Sequence, residues 1–217
     1  MNQAKLKTQQ AYKLKQDLDR VEEFAREWEE QGAADTMVIG ELADQENLDI
    51  VFTDPEPINS IDEIRMEGLL SDLENLDYIL TRPRLPVMSE RMLSVLESVK
   101  DFPHQIIPVV IRDTRTILGV AGQPHRRSDQ ISTEFVALQL LEQLDILDRE
   151  KSDYDTEDDN PDEIEYINKL VLDVPESGLP PIFRIVEDPI VLYVSPEAKT
   201  ALEEAEITGI RFVEINY

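Results

Sequence analysis

The chain contains no cysteine, only two histidines and seven glycines, and aromatic residues make up 6% of it. Without cysteine there is no disulfide, no thiolate nucleophile and no thiolate metal ligand, and the redox compartment stays open. His104, beside Pro103, and His125, beside Arg126-Arg127, both fall in loop-like contexts, which leaves little for general-base chemistry. A serine nucleophile needs a base and an elbow, and no G-x-S-x-G occurs. Gly119-Val120-Ala121-Gly122 lacks the lysine and hydroxyl of a phosphate-binding loop. Long apolar runs are also missing. No stretch approaches the roughly 20 residues of a membrane span, and the first residues hold no apolar core of signal-peptide length. The expectation is a non-catalytic, cytoplasmic protein without a cofactor.

Positive charge is scarce as well. Lysine and arginine number 21 against 47 acidic residues, for a net charge of −26. Residues 1–20 hold Lys5, Lys7, Lys13, Lys15 and Arg20 against Asp17 and Asp19, so this segment carries +3 and the remainder −29. Such a surface repels nucleic acid and anionic membranes and attracts basic proteins. Acidity equally serves solubility, or life in high salt.

What is present is enough apolar material for a core, 41% of 217 residues. Residues 1–80 read as a helical, variable segment and residues 81–217 as an α+β core, the two packing separately or as one domain. Within residues 9–30, Leu14, Leu18, Val21, Phe24 or Ala25, and Trp28 recur at spacings of three and four, which predicts an amphipathic helix. Such a stripe either docks on the parent fold or binds a partner. Met37 to Ile39 and Leu48 to Phe52 read as short strands. Ser60-Ile61-Asp62-Glu63 has the form of a capping box, with Leu69, Leu70, Leu73 and Leu76 as the helix to follow. Gln105 to Arg112 reads as a strand, with Pro108 marking an edge or a bulge, and Ile117 to Ala121 as its hairpin return. Phe135 to Leu147 fits either period, with strand favoured for its first half.

The last third is the most explicit. Ile182 to Val186 and Ile190 to Val194 read as strands around a turn at Asp188-Pro189. Ser195 suits a helix N-cap, Pro196 the first helical position and Glu197 the positive end of the dipole. Ala198, Ala201, Leu202 and Ala205 share one face, Gly209 ends the connection, and Ile210-Arg211-Phe212 begins a closing strand. At an offset of 106 this unit echoes an earlier one. Met88-Ser89 aligns with Val194-Ser195, and Met92, Val95, Leu96 and Val99 align with Ala198, Ala201, Leu202 and Ala205. Either a duplicated strand–helix–strand unit or the spacing common to amphipathic helices accounts for it. In both cases the two helices are expected to cover one sheet.

Residues 153–165 hold eight acidic side chains and no basic one, so a solvated loop is expected there. Asp153-x-Asp155-x-Glu157 begins like a calcium loop, but Asp158 and Ile164 stand where an EF-hand needs glycine and glutamate. Arg112, Arg115, His125, Arg126 and Arg127 form the one basic cluster of the body, and pairing with the protein's own carboxylates is the favoured account of it.

The order of Leu85-Pro86-Val87-Met88-Ser89, Ile106-Ile107-Pro108-Val109, Leu144-Asp145 through Lys151-Ser152, Ile182-Phe183-Arg184 and the Ser195 to Phe212 unit resembles the eleventh class of bacterial polymorphic-toxin immunity proteins, a family first described as a domain of unknown function. The resemblance covers residues 80–217 and implies a protein that neutralises a cognate toxin by stoichiometric binding. It brings no catalytic residues. The expected partner is a basic toxin whose active face is occluded, with Asp153, Tyr154, Asp155, Glu157, Asp158, Asp159, Asp162, Glu163 and Tyr166 as the contact residues. The carboxylates would mimic a polyanion and the tyrosines would anchor. The alternative is a non-catalytic adaptor recruiting a partner through the Leu14 to Trp28 helix. The expected architecture is α+β: a mixed, mostly antiparallel sheet with helices on one face and a helical N-terminal segment. Metal, cofactor, nucleic acid and membrane have no place in it, and oligomeric state is open.

Overall fold

The computed structural model describes residues 11–17, 41–42, 52–73, 75–79, 86–117, 126–157 and 160–215. Two sheets dominate. The larger has the order β2 (Glu41–Leu42), β3 (Ile64–Gly68), β6 (His104–Asp113), β9 (Ile131–Leu140), β5 (Val87–Ser89), β4 (Tyr78–Ile79). Only its β3–β6 pair is parallel. The smaller has the order β12 (Ile182–Ile185), β13 (Asp188–Val194), β1 (Tyr12–Gln16), β14 (Ile210–Glu214), antiparallel throughout. Two hairpins stand apart, β7 (Thr116–Ile117) with β8 (Arg126–Arg127) and β10 (Asp153–Glu157) with β11 (Asn160–Lys169). The helices among the described residues are short: α1 (Leu70–Leu73), α2 (Glu90–Val99) and α3 (Pro196–Glu204).

The architecture is therefore mostly β, which corrects the expected α+β fold. Nor do the helices cover one sheet. Met92, Leu93 and Leu96 of α2 and Ala198 and Leu202 of α3 share one core with Met88, Val136 and Leu138 of the larger sheet and with Leu14, Ile182 and Val194 of the smaller. The helices thus lie between the inner faces of the two sheets. The outer faces are covered too. Ile79, Val87, Ile107, Val109, Ile111, Phe135 and Ala137 pack under Phe52 and Leu73. Phe183, Ile185 and Tyr193 pack under Leu147, Leu170, Leu172 and Leu179. A strand buried on both faces shows no alternation, which is why Phe135 to Leu140 fitted two periods.

The N-terminal expectation fails where it can be compared. Residues 12–16 form a strand between β13 and β14, with Leu14 buried in the shared core; residues 18–40 lie outside the described part. The strand at Met37 to Ile39, and all but Phe52 of that at Leu48 to Phe52, lie outside it too. Ser60 to Glu63 leads into strand β3, and the helix after it is only the single turn of α1. Tertiary pairing with β6 overrides the local helix signal there. Pro108 needs no edge strand. Parallel pairing with β3 begins at Val109, and a bulge against β9 follows at Val109–Ile111. Of the return strand expected at Ile117 to Ala121 only Ile117 is among the described residues, and it pairs with Arg126.

The cap expected at Ser195 holds, and Ser89 caps α2 in the same way. The Met92 amide donates to Ser89 Oγ and the Ala198 amide to Ser195 Oγ, each at 3.1 Å. Gly209 adopts φ +81°, and a β-carbon there would come within 2.6 Å of the Tyr78 carbonyl oxygen; only glycine fits the close crossing of β4 by this chain.

That crossing belongs to a polar clamp between the two sheets. The Asp77 carboxylate accepts from Ser89 Oγ (2.7 Å), from Arg91 Nε and Nη2 (3.1 and 2.6 Å), and from the Thr208 amide (2.9 Å). Arg91 also donates to the carbonyls of Ala205 and Glu206 beyond α3. Burial alone would raise the Asp77 pKa. The donors from Arg91, Ser89 and Thr208 outweigh it and lower the value from 3.8 to about 2.

Candidate functional site

The acidic segment is an antiparallel hairpin and not the expected solvated loop. Its base is closed by Ser152, whose hydroxyl donates to the Val171 carbonyl and accepts from the Val171 amide, at 3.1 and 3.0 Å. The Asp148 side chain caps the preceding turn by accepting from the amides of Glu150 and Lys151. Along β10 the side chains alternate. Tyr154 and Thr156 are half-buried, and Asp153, Asp155 and Glu157 are exposed. Tyr154 lies opposite Ile167 and Thr156 opposite Ile164, and both isoleucines pack on the core beneath the smaller sheet. The hairpin thus lies down by one apolar face. That anchoring offsets the like-charge repulsion on which the loop expectation rested.

The outward face carries the charge. The register slips between Asp155 and Thr156, whose partners are Tyr166 and Ile164. The bulge leaves both Glu165 and Tyr166 exposed opposite Asp155. Tyr166 is 64% exposed, an aromatic ring standing among Asp153, Asp155, Glu157 and Glu165. Asn168 Nδ2 donates to Asp155 Oδ2 at 3.1 Å and ties the two strands across this face. Because Asp153, Asp155 and Glu157 line one face of a strand, they are spaced by about 7 Å per pair of residues. A calcium loop must instead wrap its ligands around the ion. Among the described residues no group of three or more His, Asp or Glu side chains is placed to hold a metal.

The predicted contact residues therefore divide. Asp153, Asp155, Glu157 and Tyr166 share the outward face, while Tyr154 turns inward. Asp162 and Glu163 lie in the backbone of β11, and Asp158 and Asp159 fall outside the described residues. The sequence reading missed what stands beside the hairpin. The Arg149 guanidinium lies 6.0 Å from the centre of the Tyr154 ring and 3.2 Å from Glu187 Oε1. It joins the hairpin to the turn between β12 and β13. Glu187 is deeply buried for a carboxylate, its side chain 5% exposed. Val186 on the same turn, and Ile190 in β13 beyond it, are exposed. Arg184, buried behind the turn, donates from Nη1 to the carbonyls of Pro189 and Ile190 and holds them in place. Burial pushes its pKa down. The turn expected at Asp188-Pro189 falls two residues earlier, at Val186-Glu187, and Asp188-Pro189 opens β13.

The basic cluster is in part self-paired. Arg115 binds Asp113 (3.0 Å) and Gln130 (2.7 Å), and Arg112 stands 3.9 Å from Glu67. His104 stacks on Phe102 and meets Glu97 at 3.4 Å. One open cleft, of about 280 Å³, lies elsewhere, between α1 and the start of β9, lined by Leu70, Leu73 and Ile131 to Phe135. Among the described residues no helix is long and apolar enough to cross a membrane. No protein-family model matches the chain, and no curated protein matches it.

Proposed function

We propose that the chain is an immunity-type protein that acts in the cytoplasm, binding a cognate basic toxin stoichiometrically and occluding its active face with the outward side of the β10–β11 hairpin. The observation that carries the reading is the grouping of Asp153, Asp155, Glu157 and Glu165 around exposed Tyr166 on a strand pair whose other face is anchored. Carboxylates lined along a strand imitate a polyanion, the natural ligand of a basic catalytic cleft. The charge raises the encounter rate, by about 10–10³ for well-steered pairs, and Tyr166 supplies the aromatic centre that tight binding needs. Val186, on the turn joined to the hairpin by Arg149, and Ile190, in β13 beyond it, add exposed apolar surface nearby. The resemblance of residues 80–217 to the immunity family points the same way.

The test uses the full chain and candidate toxins encoded beside its gene. The wild-type chain should form a one-to-one complex that blocks the toxin. Asp155→Lys with Glu157→Lys should slow association by about tenfold or more and flatten its salt dependence. A complex whose association rate and salt dependence are the same for both chains would remove the hairpin from the interface.

A further inference from the structure

Strand β1 occupies in the smaller sheet the place that β9 occupies in the larger. Val136 of β9 lies opposite Met88 on one side and Pro108 on the other. Tyr12 of β1 lies opposite Val194 and Glu214. Met88 to Val194 and Pro108 to Glu214 are the same step of 106 residues. The next pairs agree: Ala137 faces Val87 and Ile107, and Lys13 faces Tyr193 and Val213. Two bonds outside the ladders repeat as well. The Leu141 amide donates to the Pro103 carbonyl as the Asp17 amide does to that of Gly209, each at 3.1 Å, and the Ser89 amide donates to the Asp77 carbonyl as that of Ser195 does to Pro181, with the edge strand displaced by two residues from the 106-residue step. Helix spacing common to unrelated units does not fix cross-strand register on both sides of a central strand. The two halves share one arrangement, made of an edge strand, a strand, a capped helix, a strand and a central closing strand. In the first half the closing strand β9 follows β6 along the chain. In the second it is β1, which the chain separates from every other strand of its unit.

We propose that β1 is an exchangeable strand: the slot between β13 and β14 accepts the β1 of a second copy of this chain, giving a strand-swapped dimer. The contacts in the slot are identical whichever copy supplies the strand. Leu14 is the one side chain of β1 that is buried, and the ladders to β13 and β14 that hold the rest of the strand form equally well with the strand of a second copy. Lys13 and Lys15 belong to the +3 segment of a chain whose remainder carries −29, so a second acidic body attracts the strand as its own does.

The absence of cysteine makes the test clean. Lys15 and Arg211 are opposed across β1 and β14 and both are exposed. The full-length K15C and R211C variants are unfolded together, refolded at increasing concentration and joined with a short thiol-reactive linker. The expected result is a link from position 15 of one chain to position 211 of another, in an amount that rises with refolding concentration, and a dimer mass in solution. The K15C/R211C double variant should link within one chain when refolded dilute. A link found only within single chains at every concentration would overturn the exchange. Failure of the double variant to link at all would overturn the β1–β14 pairing on which the exchange rests.

Discussion

Replacing Asp77 by asparagine removes the charge at the centre of the clamp that joins the two halves. The carboxylate accepts from Ser89, Arg91 and Thr208, residues of the larger sheet, of α2 and of the segment after α3. Its pKa falls from 3.8 to about 2, which corresponds to about 2–3 kcal/mol favouring the charged, folded form. The folded-state value lies below the unfolded one. The contribution is therefore complete above about pH 5, about half remains near pH 3, and little is left at about pH 2. Urea unfolding of the wild type and of D77N measures it. Comparing the two cancels the titration of the other acidic residues. D77N should be about 2–3 kcal/mol less stable at neutral pH, with a melting point lower by about 5–10 °C, and the gap should close to about half near pH 3. A gap of the same size at both pH values would refute the reasoning, because the missing stability would not then come from the ionised carboxylate.

Gly209 and Gly178 both adopt positive φ, but only Gly209 has backbone in the way of a β-carbon. Gly178→Ala should therefore cost about 1–2 kcal/mol and Gly209→Ala distinctly more, by thermal or chemical unfolding. The N-caps make a second matched pair. Ser195→Ala should cost about 1 kcal/mol, and Ser89→Ala more, since its hydroxyl also donates to Asp77; equal losses would deny the clamp its role. Arg149→Ala strands the buried Glu187 carboxylate and frees the hairpin from the neighbouring turn. It should cost about 1–3 kcal/mol and raise hydrogen exchange in β10 and β11 more than in β6 and β9.

How much was legible follows from what each segment buries. The Ser195 to Phe212 unit was readable because its signals are local: an N-cap oxygen, a proline at the first turn, a glycine at positive φ. The first half of Phe135 to Leu147 was half-readable, since β9 is covered on both faces and keeps no period. Residues 12–16 misled because Leu14 fits a helical stripe as well as a strand, and the partners that decide the matter lie some 180–200 residues away, at Tyr193, Val194 and Ile210 to Glu214. The echo at offset 106 was visible, but its meaning depended on cross-strand register, which no single segment encodes. At the candidate site, charge density was plain in the sequence. The hairpin was hidden because Tyr154, Thr156, Ile164 and Ile167, which seat it, are scattered among carboxylates that read as solvated chain.

The most direct measurement is the salt dependence of complex formation between the full-length chain and each candidate toxin encoded beside its gene, followed by titration of toxin activity. The account predicts a one-to-one complex whose association slows as salt rises, inhibition complete at equimolar chain, and loss of both on reversing Asp155 and Glu157 together with Tyr166→Ala. Inhibition that survives this variant unchanged, or a neighbouring toxin that the chain neither binds nor blocks, would contradict it.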